Sequence, residues 1–447
     1  MGLKYVEMVK SVMLIFLIGL SLVLTFLIWN SAPYETIGNR GTIDTSIAEK
    51  PEKKNIDSMI KPYKLHFTFN ETYTGAVANE EIEYMLSHLK KWKLQTPQLE
   101  DQQFTKEKLH QLMRKENSLV LYYPDEVPLT VYDSVLNIES QNIPEINFEY
   151  LIANWDTKKG TTKIHFVSVK NSLHYTTTAK LVEPQFFHRD VITVAKNYDE
   201  YVEVEEDHEH FLLVPKEETT LVRSTYFSNE KDEINPTRFR NVLFSDPNAV
   251  RRNEINPQRD DYQDNHALMT VDTEKKFLHF VHPSVESQEL AIPSELVEDA
   301  IDFVNEHGGW TDEYRFSKMN FRARSIQFKL YVRGVPVLGG NSMTDIEQVW
   351  GEEAIYQYRR PYFTLGDTLP SEQEEILIPS GVEIIEALKA SREIDFDSVE
   401  EILPGYYMQQ DAELDIFQFE PAWFYLQHGN WVRFSPEEVG GEKIGLE

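Results

Sequence analysis

Residues 12–29 read VMLIFLIGLSLVLTFLIW and contain no charged side chain. A helix of 18 residues is about 27 Å long, close to the roughly 30 Å hydrocarbon core of a membrane. It also satisfies its backbone hydrogen bonds internally, which a lipid environment requires. We therefore predict one transmembrane helix at residues 12–29. It separates a short segment, residues 1–11, from the 418 residues that follow it.

The charges beside this segment indicate its orientation. Lys4 and Lys10 precede it, whereas residues 30–49 contain only one positive charge, Arg40. Because positive charges concentrate on the cytoplasmic side of a membrane, we expect the amino terminus in the cytoplasm and the bulk of the chain outside the cell membrane. A cleaved signal peptide is the main alternative. The apolar run is longer than a typical signal sequence, however, and no clear small-x-small cleavage site follows it.

The predicted outer portion is strongly acidic and has no cysteine. Without Lys4, Lys10 and Glu7, the 44 basic and 74 acidic residues of the chain become 42 and 73, a formal charge of −31 for residues 30–447. This charge disfavours nucleic acid and anionic lipid as partners. The lack of cysteine excludes disulfides, thiolate nucleophiles and thiolate metal ligands. An exported portion of this size without disulfides fits a bacterial exterior.

The outer portion alternates between strand and helix patterns. Residues 65–69, 163–169 and 219–227 have strand character, and stripes of apolar residues at helical spacing lie between such segments. We predict an α+β fold, with one N-terminal transmembrane helix followed by an elongated multi-domain exterior of antiparallel sheets with packed helices. The predicted ranges are a cytoplasmic N-terminus at 1–11, the transmembrane helix at 12–29, a flexible tether at 30–61, an N-terminal α+β domain at 62–205, a central α+β domain at 206–312 and a C-terminal α+β domain at 313–447.

Several helix boundaries have clear local signals. Thr105 can cap a helix, and Ser380 with Glu383 has the spacing of a capping box. Ser294 is predicted as the N-cap of the helix before His307-Gly308-Gly309. Residues 191–198 are ambiguous between strand and helix.

The chain has none of the catalytic or cofactor motifs sought. It lacks a Gly-rich phosphate loop, a Gly-x-Ser-x-Gly elbow, a His-Glu-x-x-His pair and an EF-hand loop. The best metal candidate is the run DHEH at 207–210, where a strand would place His208 and His210 on one face beside carboxylates. A solvated acidic linker entering a strand is the simpler interpretation. His279 and His282 would point to opposite faces, as packing or surface residues. Because none of these motifs is present, we predict a binding or regulatory protein without catalytic, cofactor or metal sites.

The predicted membrane helix has one face that suits contact with another helix. Ser21 and Thr25 are four residues apart, with Ile18 and Ile28 along the same face. Small and hydroxyl side chains let a second helix approach closely and can form hydrogen bonds across the contact. The alternative is that both hydroxyls bond back to their own helix. We predict a partner helix face formed by Ile18, Ser21, Thr25 and Ile28.

Aromatic residues crowd the carboxyl-terminal end of the chain. They are Tyr406, Tyr407, Phe417, Phe419, Trp423, Phe424, Tyr425, Trp431 and Phe434. Strand alternation sends about half of them inward, where we expect a domain core. The outward remainder would form a partner surface.

The chain resembles the YycH family through the order of several motifs along its whole length. The motifs are SLVLTFLIWN at 21–30, YPDEVP at 123–128, NVLFSDP at 241–247, LPGYY at 403–407 and PAW at 421–423. The last two motifs, preceded by YVRGVPV at 331–337, are also similar to the carboxyl-terminal part of the companion protein YycI.

YycH proteins are accessory regulators of the WalK (YycG) sensor histidine kinase in Gram-positive bacteria. The resemblance implies an elongated three-domain exterior with a YycI-like domain at 313–447. It also implies association with a YycI-like companion, and control of the WalK/WalR (YycG/YycF) system and of cell-wall homeostasis through transmembrane-helix and ectodomain contacts. Two alternatives from other classes are a membrane-tethered cell-wall enzyme or metal-binding protein, and a scaffold that binds partners without altering signalling.

Overall fold

The computed structural model describes residues 13–14, 17–21, 47, 52–140, 142–156, 161–180, 187–205, 208–228, 234–340, 343–368 and 373–435. Within these residues the chain forms two large sheets, in which antiparallel pairing dominates, with helices packed against them. The predicted α+β class with antiparallel sheets is confirmed.

The first sheet contains ten strands from the amino-terminal half of the chain, in the order β10-β9-β2-β1-β5-β6-β7-β8-β3, with β4 beside β8. These strands are β1 (Lys64–Phe69), β2 (Thr72–Ala76), β3 (Lys93–Leu94), β4 (Gln98–Asp101), β5 (Ser118–Pro128), β6 (Asn147–Asp156), β7 (Thr161–Ser168), β8 (Leu173–Lys180), β9 (Asp199–Glu203) and β10 (Leu213–Pro215). The helices of this half are α1 (Ile56–Met59), α2 (Asn79–Leu89), α3 (Lys106–Met113), α4 (Leu129–Tyr132) and α5 (Thr193–Ala195), the last preceded by a π-helical turn at Phe187–Ile192.

The second sheet contains fifteen strands, of which twelve follow the order β12-β13-β14-β15-β20-β19-β17-β18-β23-β24-β11-β21. Its strands are β11 (Thr219–Ser228), β12 (Arg251–Asn256), β13 (Arg259–Gln263), β14 (Leu268–Asp272), β15 (Phe277–Val281), β16 (Tyr314–Asn320), β17 (Ser325–Val332), β18 (Val335–Gly340), β19 (Ile346–Trp350), β20 (Ile355–Pro361), β21 (Leu365–Thr368), β22 (Glu374–Ile378), β23 (Val399–Asp411), β24 (Ile416–Gln427) and β25 (Asn430–Arg433). The helices are α6 (Pro236–Leu243), α7 (Pro293–Glu306) and α8 (Gly381–Ala390), with 3₁₀ turns at Pro283–Val285 and Phe396–Ser398. Strands β18 and β23 run parallel to each other.

Most of the predicted helix signals appear in the structure. The Thr105 hydroxyl accepts a hydrogen bond from the Lys108 amide at the start of α3, and Ser380 and Glu383 form both bonds of a capping box. The prediction of Ser294 as an N-cap was wrong, because α7 begins at Pro293 with Ile292 as its cap. Proline fits the first helical position, where its missing N–H would have no intrahelical partner. The ambiguous segment 191–198 is helical up to Ala195.

Part of the range predicted as a flexible tether is packed against the body of the protein. Residues 52–61 contain the short helix α1, and Ile47 is completely buried. The Ile47 amide donates to the His307 carbonyl at 2.8 Å, and Arg238 Nη1 donates to the Ile47 carbonyl at 2.7 Å. The segment around Ile47, which precedes the first sheet in the chain, is therefore attached to elements of the second sheet. The other tether residues, 30–46 and 48–51, lie outside the described residues.

Apart from β10, which belongs to the first sheet, the strands of the predicted central and C-terminal ranges share one sheet. Strand β15 of the central range pairs antiparallel with β20 of the C-terminal range, from Phe277 opposite Pro361 to Val281 opposite Gln357. Strand β11, which lies early in the central range, pairs with β24 near the end of the chain. The three-domain division with its boundaries stays a prediction.

A buried arginine stabilises the loop after α7. Arg360, on β20, has no exposed surface, and its guanidinium lies 5.2 Å from the centre of the Phe239 ring. It donates to the Gly309 carbonyl at 2.6 Å, the Pro361 carbonyl at 2.8 Å and the Tyr358 hydroxyl at 2.9 Å. One planar side chain thus satisfies three buried acceptors from different directions, which suits the fixed fork of guanidinium donors.

Candidate functional site

A cleft of about 760 Å³ lies between the first and the second sheet. One wall comes from β5 and β6, and the other comes from β17, β23 and β25. Small-molecule sites commonly enclose roughly 300–1,000 Å³ and often form where two folded units meet. This cleft is therefore the strongest candidate site among the described residues.

A buried ion pair joins the two sheets beside the cleft. Lys64, the first residue of β1, has 1% of its side chain exposed, and its Nζ lies 2.5 Å from Oε2 of Glu401, on β23, which has 7% exposed. The Tyr63 hydroxyl donates to the same carboxylate oxygen at 2.8 Å. The Lys64 ammonium also lies 4.4 Å from the centre of the Tyr122 ring. Because both charges are removed from water, each depends on the other for compensation.

Further contacts fix the two sheets at the edges of the cleft. Asp125 Oδ2 accepts a hydrogen bond from the Met319 amide at 3.0 Å, while its Oδ1 pairs with Lys170. Elsewhere along the junction, Arg315 Nη2 donates to Asn79 Oδ1 at 2.7 Å. These contacts link β5 to β16 and α2 to β16, so a change in the relative position of the sheets would break several buried polar contacts at once.

The cleft also contains a carboxylic acid with a perturbed pKa. Glu149, on β6, lines the cleft and accepts a hydrogen bond from the Val169 amide at 2.8 Å through Oε1. Burial, more than any other cause, raises the pKa of Glu149 from 4.5 to about 7, and the nearby carboxylates of Glu126 and Asp125 add to the increase. Near neutral pH this side chain is therefore present in both protonated and ionised forms.

We expect Glu149→Gln to remove a pH dependence of stability. Because the folded state raises the pKa of Glu149, its stabilising contribution is complete below about pH 4.5 and is lost as the pH rises through about 7. The Glu149→Gln variant should therefore gain about 2–3 kcal/mol relative to the parent protein between pH 4.5 and pH 8. Urea unfolding followed by tryptophan fluorescence at several pH values measures this. The exposed Glu116→Gln variant serves as control, and parallel pH profiles for Glu149→Gln and the parent would contradict the assignment.

The structure gives His208 a packing role. Its side chain is buried, with Nε2 3.1 Å from the Phe396 carbonyl and Nδ1 accepting the His210 amide at 3.1 Å. Both ring nitrogens are thus engaged by the backbone. Residues 206 and 207 lie outside the described residues. Over the part of the chain that is described, no group of three or more His, Cys, Asp or Glu side chains could hold a metal ion.

A second concavity, of about 540 Å³, lies beside α7. Its lining includes Phe280, His282 and the helix carboxylates Asp299 and Asp302. Burial and the neighbouring Asp302 raise the pKa of Asp299. His279, on β15, lies next to Phe280 in the sequence but does not line this concavity. Its pKa is lowered, mainly because of burial and then because of Arg359. This concavity is smaller than the cleft and is formed within the second sheet and its helices.

Only part of the predicted partner helix face belongs to the described residues. Residues 13–14 and 17–21 are helical, and Ile18 is exposed. Ser21 is the last of these helical residues, whereas Thr25 and Ile28 lie outside the described residues. Where the structure is described, it contains no helix with the length and apolar character needed to cross a membrane. The predicted helix at 12–29 and its partner face stay predictions.

More of the carboxyl-terminal aromatic residues are buried than strand alternation predicted, because both faces of β24 are covered where Trp423, Phe424 and Tyr425 follow one another. The buried members are Tyr406, Phe417, Phe419, Trp423, Phe424 and Tyr425, while Tyr407, Trp431 and Phe434 are half-buried. Trp431 lines the cleft between the sheets. Lys64, Glu401 and Glu149 were not predicted as site residues from the sequence. A lysine and a glutamate within otherwise apolar strands were the available signals, but neither indicated that the two would meet.

The fold and the cleft define an α+β protein of two extended sheets that meet at a polar junction. Residues 7–184 match the N-terminal domain of the YycH protein family, and residues 209–438 match its C-terminal domain. The chain belongs to the YycH family.

A sequence comparison and a structural comparison agree with this assignment. The "Two-component system WalR/WalK regulatory protein YycH" of Bacillus subtilis (strain 168) is 21% identical over an alignment of 457 residues that covers 99% of each protein. The crystal structure of YycH from Bacillus subtilis is 18% identical, with a TM-score of 0.69 over 88% of this chain and 100% of that chain. The structural likeness supports the two-sheet fold.

Proposed function

We propose that this chain is a membrane-anchored, extracytoplasmic regulator of a WalK-type (YycG-type) sensor histidine kinase. The helix predicted at 12–29 anchors it, with the amino terminus in the cytoplasm. The outer portion acts with a YycI-like companion protein. Helix and ectodomain contacts, rather than catalysis by this chain, adjust the activity of the kinase and thereby cell-wall homeostasis.

The observation that carries this proposal is the likeness to the Bacillus subtilis regulatory protein along 99% of both chains. A relationship over the whole length supports a shared general role better than a shared single domain would. The family match over residues 7–184 also includes the apolar segment proposed as the anchor.

The attachment of Ile47 suggests how the anchor and the outer portion communicate. The Ile47 backbone bonds to His307, directly after α7, and to Arg238 of α6. A displacement of the anchor would therefore act on the helices of the second sheet before it reached the first sheet. Shifts in helix packing of this kind can bias a two-state signalling element.

We expect the double substitution Ser21→Leu and Thr25→Leu to weaken kinase association. Removing two interhelical hydrogen bonds, each worth about 0.6–2 kcal/mol, should lower the amount of co-purified kinase by about tenfold. Co-purification from membranes and a reporter of kinase-dependent transcription measure the two consequences. The outer portion should remain folded, as judged by its thermal unfolding.

The matched control is Val23→Leu with Phe26→Leu, which changes the opposite face of the same predicted helix. This variant should retain both kinase association and reporter output. If the Ser21/Thr25 variant leaves association and transcription unchanged, the helix-face mechanism is wrong.

A further inference from the structure

The charges that line the cleft between the sheets are mostly paired with one another. Lys170 pairs with Asp125, Lys329 pairs with Asp345 at 2.7 Å, and Lys106 pairs with Glu209 at 2.5 Å. Glu401 is compensated by Lys64. A strongly anionic or cationic ligand would have to break these pairs, and a phosphate group would also meet the remaining carboxylates. The cleft therefore favours a ligand without net charge.

Several polar groups in the cleft have no protein partner among the described residues. The Tyr150 hydroxyl and Glu149 Oε2 make no hydrogen bond there, and the Lys318 ammonium forms no ion pair. Glu149 is partly protonated near neutral pH, so it can both donate and accept. Ligand hydroxyl groups also donate and accept, and they would satisfy all three groups without introducing a charge.

Aromatic rings from both sheets are accessible in the cleft. Tyr63 and Tyr150 belong to the half that forms the first sheet, and Trp431 lies on β25 of the second; all three are half-buried and line the cleft. The negative faces of aromatic rings attract weakly positive C–H groups, such as those on the faces of a sugar ring. Rings beside unpartnered hydroxyl and carboxyl groups are a combination that suits a saccharide.

We propose that the cleft between the two sheets is a binding site for a short, uncharged saccharide, which stacks on Tyr150 and Trp431 and bonds to Tyr150, Glu149 and Lys318. The volume of about 760 Å³ accommodates a ligand larger than a single sugar ring. Because the two rings belong to different sheets, the saccharide bridges the junction that Lys64 and Glu401 also cross. This proposal does not rest on the proposed regulatory role.

Isothermal titration calorimetry on the full chain tests the proposal, with chitotetraose and cellotetraose as probes and a detergent that has no sugar headgroup. We expect saturable binding of at least one probe with a stoichiometry of one. Tyr150→Phe, which removes only the hydroxyl, should weaken binding about fivefold to tenfold. Trp431→Ala, which removes a stacking surface, should weaken it at least tenfold.

The matched control is Tyr175→Phe, because Tyr175 is a half-buried tyrosine on β8 of the same sheet that does not line the cleft. It should bind as the parent does, and thermal unfolding of each variant should show an intact fold. Absence of saturable binding at millimolar saccharide would overturn the proposal, as would unchanged affinity in both cleft variants. Tighter, Tyr150-dependent binding of tetra-alanine, a zwitterionic peptide, would overturn the saccharide assignment. None of these results depends on the kinase reporter.

Discussion

Glu401→Ala should destabilise the protein by about 3–5 kcal/mol, because it leaves the ammonium of Lys64 buried without a compensating charge. Lys64 has 1% of its side chain exposed, so water cannot replace the lost carboxylate. The Tyr63 hydroxyl loses its acceptor in the same variant. The midpoint of urea unfolding, followed through the seven tryptophans of the chain, measures the effect.

Two further variants identify the cause. The double variant Lys64→Met with Glu401→Gln removes both charges and retains an acceptor for Tyr63, and its stability should return to within about 1 kcal/mol of the parent. Glu139→Ala breaks an ion pair with Lys93 in which both side chains are 54% exposed, and it should leave the midpoint unchanged. If the double variant is as unstable as Glu401→Ala, lost packing rather than the buried charge is responsible.

Arg360→Ala should destabilise the protein by about 4–5 kcal/mol. The substitution leaves the buried carbonyls of Gly309 and Pro361 without their donor, and it opens a cavity beside Phe239. Arg360→Lys should recover only part of the loss, since one ammonium group cannot reach acceptors in three directions. Urea unfolding measures both variants.

The neighbouring residue provides the control for this prediction. Arg359 points to the other face of β20 and pairs at 3.0 Å with Glu347, with side-chain exposures of 36% and 38%. Arg359→Ala should therefore cost at most about 1 kcal/mol. A loss for Arg360→Ala no larger than that for Arg359→Ala would show that the buried hydrogen bonds contribute little.

Local features of the sequence predicted many elements because their causes lie within a few residues. The capping box at Ser380 and Glu383 uses side chains and amides of one helical turn, and the cap at Thr105 needs only the amide of Lys108. Ser294 was misassigned as a cap because the adjacent Pro293 is an equally local signal that favours an earlier start.

The cleft could not be predicted in this way, since its residues meet only through the arrangement of the sheets. Lys64 and Glu401 are 337 positions apart, and neither has a local signature of ion pairing. The raised pKa of Glu149 depends on burial and then on Glu126 and Asp125, which lie on the neighbouring strand β5. Period-two patterns identify strands, but they contain no information about which distant strand supplies the opposite wall.

The attachment of Ile47 limits how far the folded body can rise above a membrane. If the anchor ends at Trp29, as proposed, 47 − 29 gives 18 Cα–Cα steps to Ile47. A fully extended chain of that length spans at most about 65 Å. The end of α7, where the Ile47 amide is bound, must therefore stay within this height of the bilayer surface. This linker therefore limits the distance between the membrane and the second sheet, although the first sheet comes earlier in the chain.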